Sequence, residues 1–408
     1  MRRKNGKKME EDRTKGWSWR DEAKYQLRRI ASSYVEETLE LTDKKIMLDL
    51  STPLCNCIIC GKEGEPVNFK LNNYISYFKD PYRDAYVLNF CQEAKHPSFR
   101  TEFLYPIKEG TFADFEVLEF IVQYLFKYKI YLSGDEEKSI LFIEPYNFKK
   151  EDREKISQLF FEEYYFDKVF MINPSILTLL SEGKFTGTVA ELDYDMSSFI
   201  PIFDCYSLPH AIIRSNIGRK DINDYFEKLL REDYSNKNIK DISNKLVTEA
   251  CYISLDYFNE IDNVEQYYYR LPDDEGIYIK NPRIQSPEIL FRPSLNNLTD
   301  RGDSIAKSTN NSIIKCDEDL YNELYNNIVL TGINSQFKGM KERMEKEIIE
   351  LAKDQFKNEV KVTINEKGIQ KGVETFFSNS SFDSWWITKK EYDENGYYYD
   401  NITSRKCF

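Results

Sequence analysis

Residues 311–332 read NSIIKCDEDLYNELYNNIVLTG, and this stretch contains the pattern that decides the fold. The short apolar run Ile328–Leu330 predicts a buried strand, and Gly332 just after it predicts a turn. The next segment, Met340–Phe356, is predicted to be a helix. A strand, a glycine turn and a helix in this order are typical of α/β layers.

The same alternation of strands and helices runs outward from this stretch. Strands are predicted at 45–50, 139–144, 168–172, 188–192 and 198–203. Helices are predicted at 111–128, 151–164, 175–180, 221–231 and 240–258. No Gly-Ser linker or low-complexity tract separates independent domains, so we expect lobes built from interleaved segments.

The composition excludes several classes of protein. The 408 residues include 57 Lys plus Arg and 69 Asp plus Glu, a net charge of −12, which speaks against general nucleic-acid binding. No apolar run reaches about 18 residues, so no membrane span is expected. The 8 cysteines are expected to be reduced thiols in a cytosolic or nuclear setting. His96 and His210 are the 2 histidines, too few for a multi-histidine metal site.

The N-terminal segment, residues 1–41, differs from the rest in charge. Residues 1–30 contain eleven basic and five acidic side chains, a net charge of +6. The part after Trp19 is predicted to be helical. We interpret the segment as a solvated basic arm, partly helical or disordered. A nuclear-localisation signal or a patch for an acidic partner stays open as an alternative.

Further fragments extend the pattern in a fixed order. They read YPIKEG (105–110), REK (153–155), TGTV (186–189), PHAIIRSNIGRKDINDY (209–225), CYISLDY (251–257), SPEILFRPSL (286–295), GMKERMEKEI (339–348) and WITKKEYDENG (386–396), before the terminal RKCF (405–408). Together with 311–332 they are collinear, at near-constant spacing, with one family. From about residue 42 to its end, the chain resembles actin.

The resemblance implies the actin fold: two duplicated α/β lobes with four subdomains around a central cleft. The first lobe would comprise 42–182 plus 369–408, with a small subdomain at about 70–105. The second would comprise 183–368, with a small subdomain at about 219–306. In this family a nucleotide and a divalent metal occupy the cleft, and two glycine-rich hairpins wrap the phosphates so that backbone N–H groups can approach closely.

Both hairpins are altered in this chain. The first keeps Asp49, but both glycines and the lysine of the family pattern are missing from Asp49–Asn56. Pro53 also lacks the N–H group that a phosphate would use. The second, Glu191–Asp195, has no glycine and places carboxylates where phosphates would lie. Like charge beside phosphate costs several kcal/mol at low effective dielectric.

Other positions of the implied nucleotide site differ as well. The glutamine that orients the attacking water falls at Pro174, and the Lys-Glu pair beside the nucleoside falls at Val247-Thr248. The double glycine on the adenine side is Gly332-Ile333, and Lys367 is the nearest match to the base-side lysine. We therefore expect a pseudo-enzyme with no catalytic residues, in which hydrolysis and tight binding of ATP with magnesium are lost.

The remnants of the ATP cleft, as implied by the resemblance, are five residues. They are Asp49, Glu191, Asp193, Gly332 and Lys367. Asp193 and Asp195 could also hold a metal, because a spacing of two places both on one face of a strand, but a solvated turn is the favoured interpretation. No metal site is expected.

Three cysteines lie close together in the first hairpin. Cys55, Cys57 and Cys60, with Cys91 or His96, could bind zinc. Strand alternation places Cys55 and Cys57 on one face and Cys60 on the other, so small packed thiols are the preferred interpretation.

Three other features are given structural roles. His210 is expected to be structural within the PHAIIR segment, and Trp385-Trp386 to pack in the core of the first lobe rather than to anchor a partner. Residues 74–89 stand where actin has a loop for longitudinal filament contacts, and their different composition puts filament formation by this chain alone in doubt.

We expect a divergent actin-like protein that acts as a cytoskeletal structural or interaction subunit in the cytoplasm. Two alternatives stay open: a polymerising actin that still binds ATP, and a nuclear actin-related subunit of a chromatin-remodelling complex. The expected partners are proteins, either actin-like or actin-binding, in a multi-subunit assembly; neither membrane nor nucleic acid is an expected partner.

Overall fold

The structure is a computed structural model of the 408-residue chain. It describes residues 18–30, 44–50, 54–60, 66–80, 85–91, 101–108, 111–126, 130, 137–145, 148–234, 242–271, 275–365 and 368–395. The chain divides into two compact units. The first comprises Met1–Asn173 and Asn379–Phe408, and the second comprises Pro174–Ser378.

The first unit is built on a six-stranded sheet. Its strands are β1 (Lys44–Asp49), β2 (Leu54–Cys60), β3 (Val67–Asn72), β9 (Lys138–Ile143), β10 (Lys168–Ile172) and β19 (Ile387–Thr388). They lie in the order β19-β10-β9-β1-β2-β3. The strands β10, β9 and β1 run parallel, whereas β1, β2 and β3 form an antiparallel meander.

Smaller elements complete the first unit. A three-stranded sheet contains β4 (Ile75–Asp80), β5 (Ala85–Phe90) and β6 (Glu102–Leu104), and a separate hairpin contains β7 (Ile107–Lys108) and β8 (Thr111–Phe112). The helices are α1 (Trp19–Ile30), α2 (Phe115–Tyr124), α3 (Lys150–Gln158), which continues as one π-helical turn over Leu159–Glu163, and α13 (Lys389–Asn395).

The helix α1 packs on the first unit, so the interpretation of a solvated arm is wrong for this part of the chain. Ala23 and Leu27 are 0% and 1% exposed. Trp19 stacks on Tyr77, with ring centroids 5.7 Å apart. Arg20 donates to Asp114, the residue that also caps α2, at 2.8 Å. The apolar stripe of this short basic helix therefore packs against a surface of its own unit.

The second unit is built on a sheet of its own. Its strands are β11 (Gly187–Leu192), β12 (Ser197–Phe203), β13 (Tyr206–Ser207), β14 (Ile213–Ser215), β17 (Ile328–Thr331) and β18 (Val362–Ile364). They lie in the order β13-β12-β11-β17-β18, and β14 pairs with β12. Here β18, β17 and β11 are parallel, and β11, β12 and β13 form an antiparallel meander.

The main sheets of the two units therefore have the same strand order and the same sense of pairing over five strands. In each, a three-stranded meander continues into two parallel strands that follow later in the sequence. Parallel neighbours need crossover connections, and helices supply part of them here: α3 lies between β9 and β10, and α11 between β17 and β18. The mixed α/β composition agrees with the predicted fold class, and the matching order agrees with the implied duplication.

Further elements accompany this sheet in the second unit, and many of their buried residues form one large apolar cluster with its strands. The helices are α4 (Pro174–Ser181), α5 (Arg219–Asp233), α6 (Ser243–Ala250), α7 (Tyr257–Glu260), α8 (Pro282–Gln285), α9 (Ile305–Ile314), α10 (Tyr321–Asn326), α11 (Met340–Leu351) and α12 (Gly368–Ser378). A two-stranded sheet of β15 (Tyr267–Arg270) and β16 (Gly276–Ile279) accompanies them.

Two helices lie in the second unit although the sequence-based boundaries placed them in the first lobe. α4 and α12 pack directly on each other, and α4 also contacts β11. The contact requires Gly372, because a Cβ atom there would lie 2.0 Å from the carbonyl oxygen of Leu177. The units accordingly divide at 173/174 and 378/379 rather than at 182/183 and 368/369.

The predicted helix 240–258 is wrong over part of its length. α6 ends at Ala250, and Cys251 is extended, with φ −87° and ψ 153°. The N–H groups of Tyr252 and Ile253 donate to the carbonyls of Arg283 and Lys338 at 3.1 and 2.9 Å. Tertiary hydrogen bonds have replaced helical ones, which propensity alone does not show.

Candidate functional site

The second altered hairpin forms a tight turn between β11 and β12. Leu192 pairs with Ser197, and the N–H of Asp193 donates to the carbonyl of Met196 at 3.1 Å. Tyr194 and Asp195 form the tip. The side chains of Asp193, Tyr194 and Asp195 are exposed, so the two carboxylates face solvent, as expected of a solvated turn.

The first N–H groups of helix α5 bind this hairpin. Arg219 N–H donates to the carbonyl of Asp193 at 3.0 Å, and Lys220 N–H donates to that of Tyr194 at 2.9 Å. The residue before them is Gly218, and this close contact favours glycine there because a Cβ atom would lie 2.4 Å from the carbonyl oxygen of Tyr194. A helix N-terminus is a common anion site, but here its N–H groups are already bonded to peptide carbonyls.

The opposite side of the hairpin is held by the turn after β17. The Asn334 side chain donates to the Asp193 carbonyl at 2.8 Å. Gly332 has a φ of +87°, and a Cβ atom there would lie 2.5 Å from the Asp193 carboxylate. Only glycine adopts this conformation easily, so the glycine is retained where the chain passes the hairpin. The structure thus brings two predicted remnants, Asp193 and Gly332, together.

Glu191 contacts a different part of the second unit. Its carboxylate accepts a hydrogen bond of 2.6 Å from the Ser175 hydroxyl. Ser175 lies in the first turn of α4, immediately after Pro174. The position that the resemblance assigns to a water-orienting glutamine therefore begins a helix, and its neighbour holds the acidic residue of the hairpin.

Arg219 is a feature that sequence reasoning missed. It is 2% exposed, and its guanidinium lies 4.4 Å from the ring centroid of Phe337. Nη2 donates to the carbonyl of Ile333 at 3.1 Å. Among the residues that the structure describes, Nε and Nη1 have no hydrogen-bond partner. Burial lowers the pKa of Arg219 to about 10, because a charged group is less stable away from water.

Arg219 lines a cavity of about 700 Å³. Buried residues, including Arg219, Cys251 and Phe337, form its floor. Thr248 and Ile333, at two altered positions of the implied nucleotide site, are exposed members of the wall. Val247 is fully buried in the core and does not line the cavity.

The cavity floor carries few charges. Burial raises the pKa of the Cys251 thiol to about 12, so this thiol is neutral at physiological pH. The carboxylates of Glu249 and Glu265 and the amine of Lys338 are exposed and form part of the rim. Arg219 is therefore a fully buried cation of the cavity wall, with the half-buried Arg283 also lining the cavity and a rim that carries both signs of charge.

The first altered hairpin is described in part. Asp49 ends β1, pairs in register with Asn56 of β2, and is 8% exposed. Pro53 lies outside the described residues. The Asn56 side-chain oxygen is buried without a hydrogen-bond partner in the described part of the chain.

The cysteines of this hairpin are closely packed. Cys55 and Cys57 are 1% and 0% exposed, and Cys60 is half-buried. Burial raises the pKa of the Cys57 thiol to about 12 and that of Cys55 well above its ordinary value. Within the described ranges, no three His, Cys, Asp or Glu side chains form a group that could hold a metal ion. His96 lies outside those ranges.

The other predicted residues have varied positions. Lys367 lies outside the described residues. His210 is exposed on a short 3-10 turn, and its expected structural role stays a prediction. Trp386 is buried and, with Trp385, packs against Phe170 in the first unit, as expected.

Comparison with known families adds one finding. A family model described as Actin matches residues 63–408, which is most of the chain. Among the described residues, none of the helices is both long and apolar enough to cross a bilayer.

Proposed function

This chain belongs to the actin family, and we propose that it is a divergent member that acts as a structural or interaction subunit without ATPase activity. The observation that carries the proposal is the state of the second hairpin. Its tip presents exposed carboxylates, and its carbonyls bind the helix N–H groups of Arg219 and Lys220. A phosphate placed there would face negative charge and would have to compete for those donors.

Two further features support the loss of ATP hydrolysis and of nucleotide binding. Pro174 has no side-chain donor or acceptor with which to orient an attacking water. The buried guanidinium of Arg219 occupies the space against Phe337 beside the altered double-glycine position Gly332-Ile333. A group already stacked on an aromatic ring leaves that face unavailable to a nucleotide base.

The test is equilibrium binding of labelled ATP in the presence of magnesium, with phosphate release measured on the same sample. We expect no saturable binding below about 1 μM and no phosphate release above the blank. Sub-micromolar affinity, or phosphate release that scales with protein concentration, would contradict the proposal. A D193N/D195N variant is a useful companion, since removing both carboxylates should increase any residual nucleotide affinity.

We propose that the protein works in the cytoplasm, within the cytoskeleton, with actin-like or actin-binding proteins as partners. High-speed pelleting with and without ATP separates this role from that of a polymerising actin, because only the latter should pellet in an ATP-dependent manner. Affinity purification with partner identification tests the interaction role itself. Recovery of chromatin-remodelling subunits, together with nuclear staining that depends on residues 1–30, would favour the nuclear role instead.

A further inference from the structure

Arg219 is a buried cation with no counter-ion among the described residues, and the second unit offers a direct comparison. Arg343 is also 2% exposed, but its guanidinium donates to Glu288 at 2.9 Å and to Glu347 at 2.7 Å. In the part of the chain that the structure describes, no carboxylate forms an ion pair with Arg219. A buried charge is normally paired, so the exception at Arg219 indicates a missing partner.

The surroundings of Arg219 show what that partner must be. The guanidinium lines the cavity of about 700 Å³, which is a size suited to a small molecule. The charge acts on the cavity with little screening, because buried charges are screened much less than exposed ones. The neutral Cys251 thiol and the ring of Phe337 lie beside it and supply no compensating charge.

The aromatic side chains of the wall argue against a flat ring as the ligand. Phe337 has the guanidinium of Arg219 over one face, and Tyr252 has that of Arg283 at 5.2 Å. Arg283 also donates from Nε to the carbonyl of Ala250 at 2.9 Å, so it is held in place by the protein. Of these two arginines, Arg219 is therefore the buried one whose Nε and Nη1 donors have no partner among the described residues.

We propose that this cavity binds a compact oxyanion, a carboxylate or phosphate group on a small molecule, with Arg219 as its counter-ion. The lining carboxylates of Glu249, Glu260 and Glu265 outnumber the cations Lys338 and Arg283, so apart from Arg219 the lining supplies no net positive charge to hold a triphosphate, and a monoanion or dianion is favoured. This inference rests on the proposed function, because it assumes that the cavity does not bind ATP. A charge-assisted hydrogen bond from guanidinium to oxyanion needs no metal ion.

The test is isothermal titration of the full chain, without magnesium, using inorganic phosphate in one arm and succinate in the other at matched ionic strength. Binding of phosphate alone identifies a phosphate ligand, and binding of succinate alone identifies a carboxylate ligand. We expect Arg219→Met, which removes the charge and keeps much of the volume, to weaken the binding at least tenfold. Arg231→Met is the matched control on the exposed face of the same helix, and it should bind as the wild type does.

Thermal unfolding shows whether the variant is folded. Because Arg219→Met removes an uncompensated buried charge, its midpoint without ligand should equal or exceed that of the wild type. If that variant does not fold, Arg219→Lys keeps the charge with fewer donors and should bind between three- and thirtyfold more weakly than the wild type.

The inference is overturned if neither anion binds the wild type, or if Arg219→Met binds as tightly as Arg231→Met. Titration with ATP and magnesium on the same preparation keeps the two proposals separate. Tight ATP binding refutes the proposed function, whereas failure of both anions with no ATP binding refutes only the oxyanion site.

Discussion

Substitution Arg343→Met should produce a large and pH-dependent loss of stability in the second unit. Arg343 forms an ion pair with Glu288, whose side chain is 0% exposed, and it donates to the carbonyl of Ser254. Removing one partner of a buried pair costs about 3–5 kcal/mol, because the other charge is left in the interior. Arg292 still donates to Glu288 at 3.0 Å, so we expect a value near the lower end, about 3 kcal/mol.

The assay is thermal unfolding of the full chain. For a unit of roughly 200 residues, 1 kcal/mol corresponds to about 2–4 °C, so the transition of the second unit should fall by about 6–12 °C at pH 8. Replacement of the arginine by methionine retains most of the buried volume. The loss of stability is therefore due to the missing charge and not to a new cavity.

The pH dependence has a defined sign. Burial raises the pKa of Glu288, and Arg343 opposes that rise. Without Arg343 the pKa rises further, so the destabilisation is largest above that pKa and shrinks as the pH falls below it and the carboxyl becomes neutral. The double variant E288Q/R343M is the control, because it has no buried carboxylate to titrate and should be more stable than R343M at pH 8. A shift below about 2 °C, or a deficit equal at pH 5 and pH 8, would refute the reasoning.

Three other perturbations test the packing. Gly372→Ala should lower the Tm of the second unit by several degrees, because its Cβ would lie 2.0 Å from the backbone oxygen of Leu177, and an unchanged Tm would contradict this close contact. Leu27→Ala should reduce the free energy of unfolding at the α1 contact by about 2–3 kcal/mol, because Leu27 is buried there. Proteolysis near residue 30 should then be faster, and an unchanged rate would argue against packing of α1 on the first unit. Cys57 should resist alkylation at pH 8 because its pKa is about 12, and labelling before unfolding would contradict that value.

The fold was largely predictable from the sequence because its strands are short apolar runs bounded by turn residues. The strands at 187–192, 197–203 and 328–331 lie within one residue of the predicted ranges. The break at Cys251 was not predictable, because it depends on backbone partners more than thirty residues away in the chain. Local periodicity carries no information about such contacts.

The candidate site was predicted only in part for a similar reason. Glu191, Asp193 and Gly332 were identified by position along the chain, and Asp193 and Gly332 do lie together. Arg219 was missed because the helix was predicted to begin at Asp221, which left Arg219 in a polar loop where a charge is ordinary. Its burial follows from the hairpin and from the Phe337 turn, which come from distant segments. The one feature of the sequence that could have drawn attention to Arg219 is its position directly after Gly218.

The discontinuity of the first unit has a consequence for synthesis. The strand β19 pairs with the edge of the first sheet at β10, and Trp386 is buried against Phe170. A ribosome makes β10 about two hundred residues before β19. The second unit, by contrast, is one continuous segment, Pro174–Ser378. The nascent chain can therefore complete the second unit while the first still exposes an unpaired strand edge. Until residues 387–388 emerge, that edge presents unpaired backbone groups with which another chain can pair.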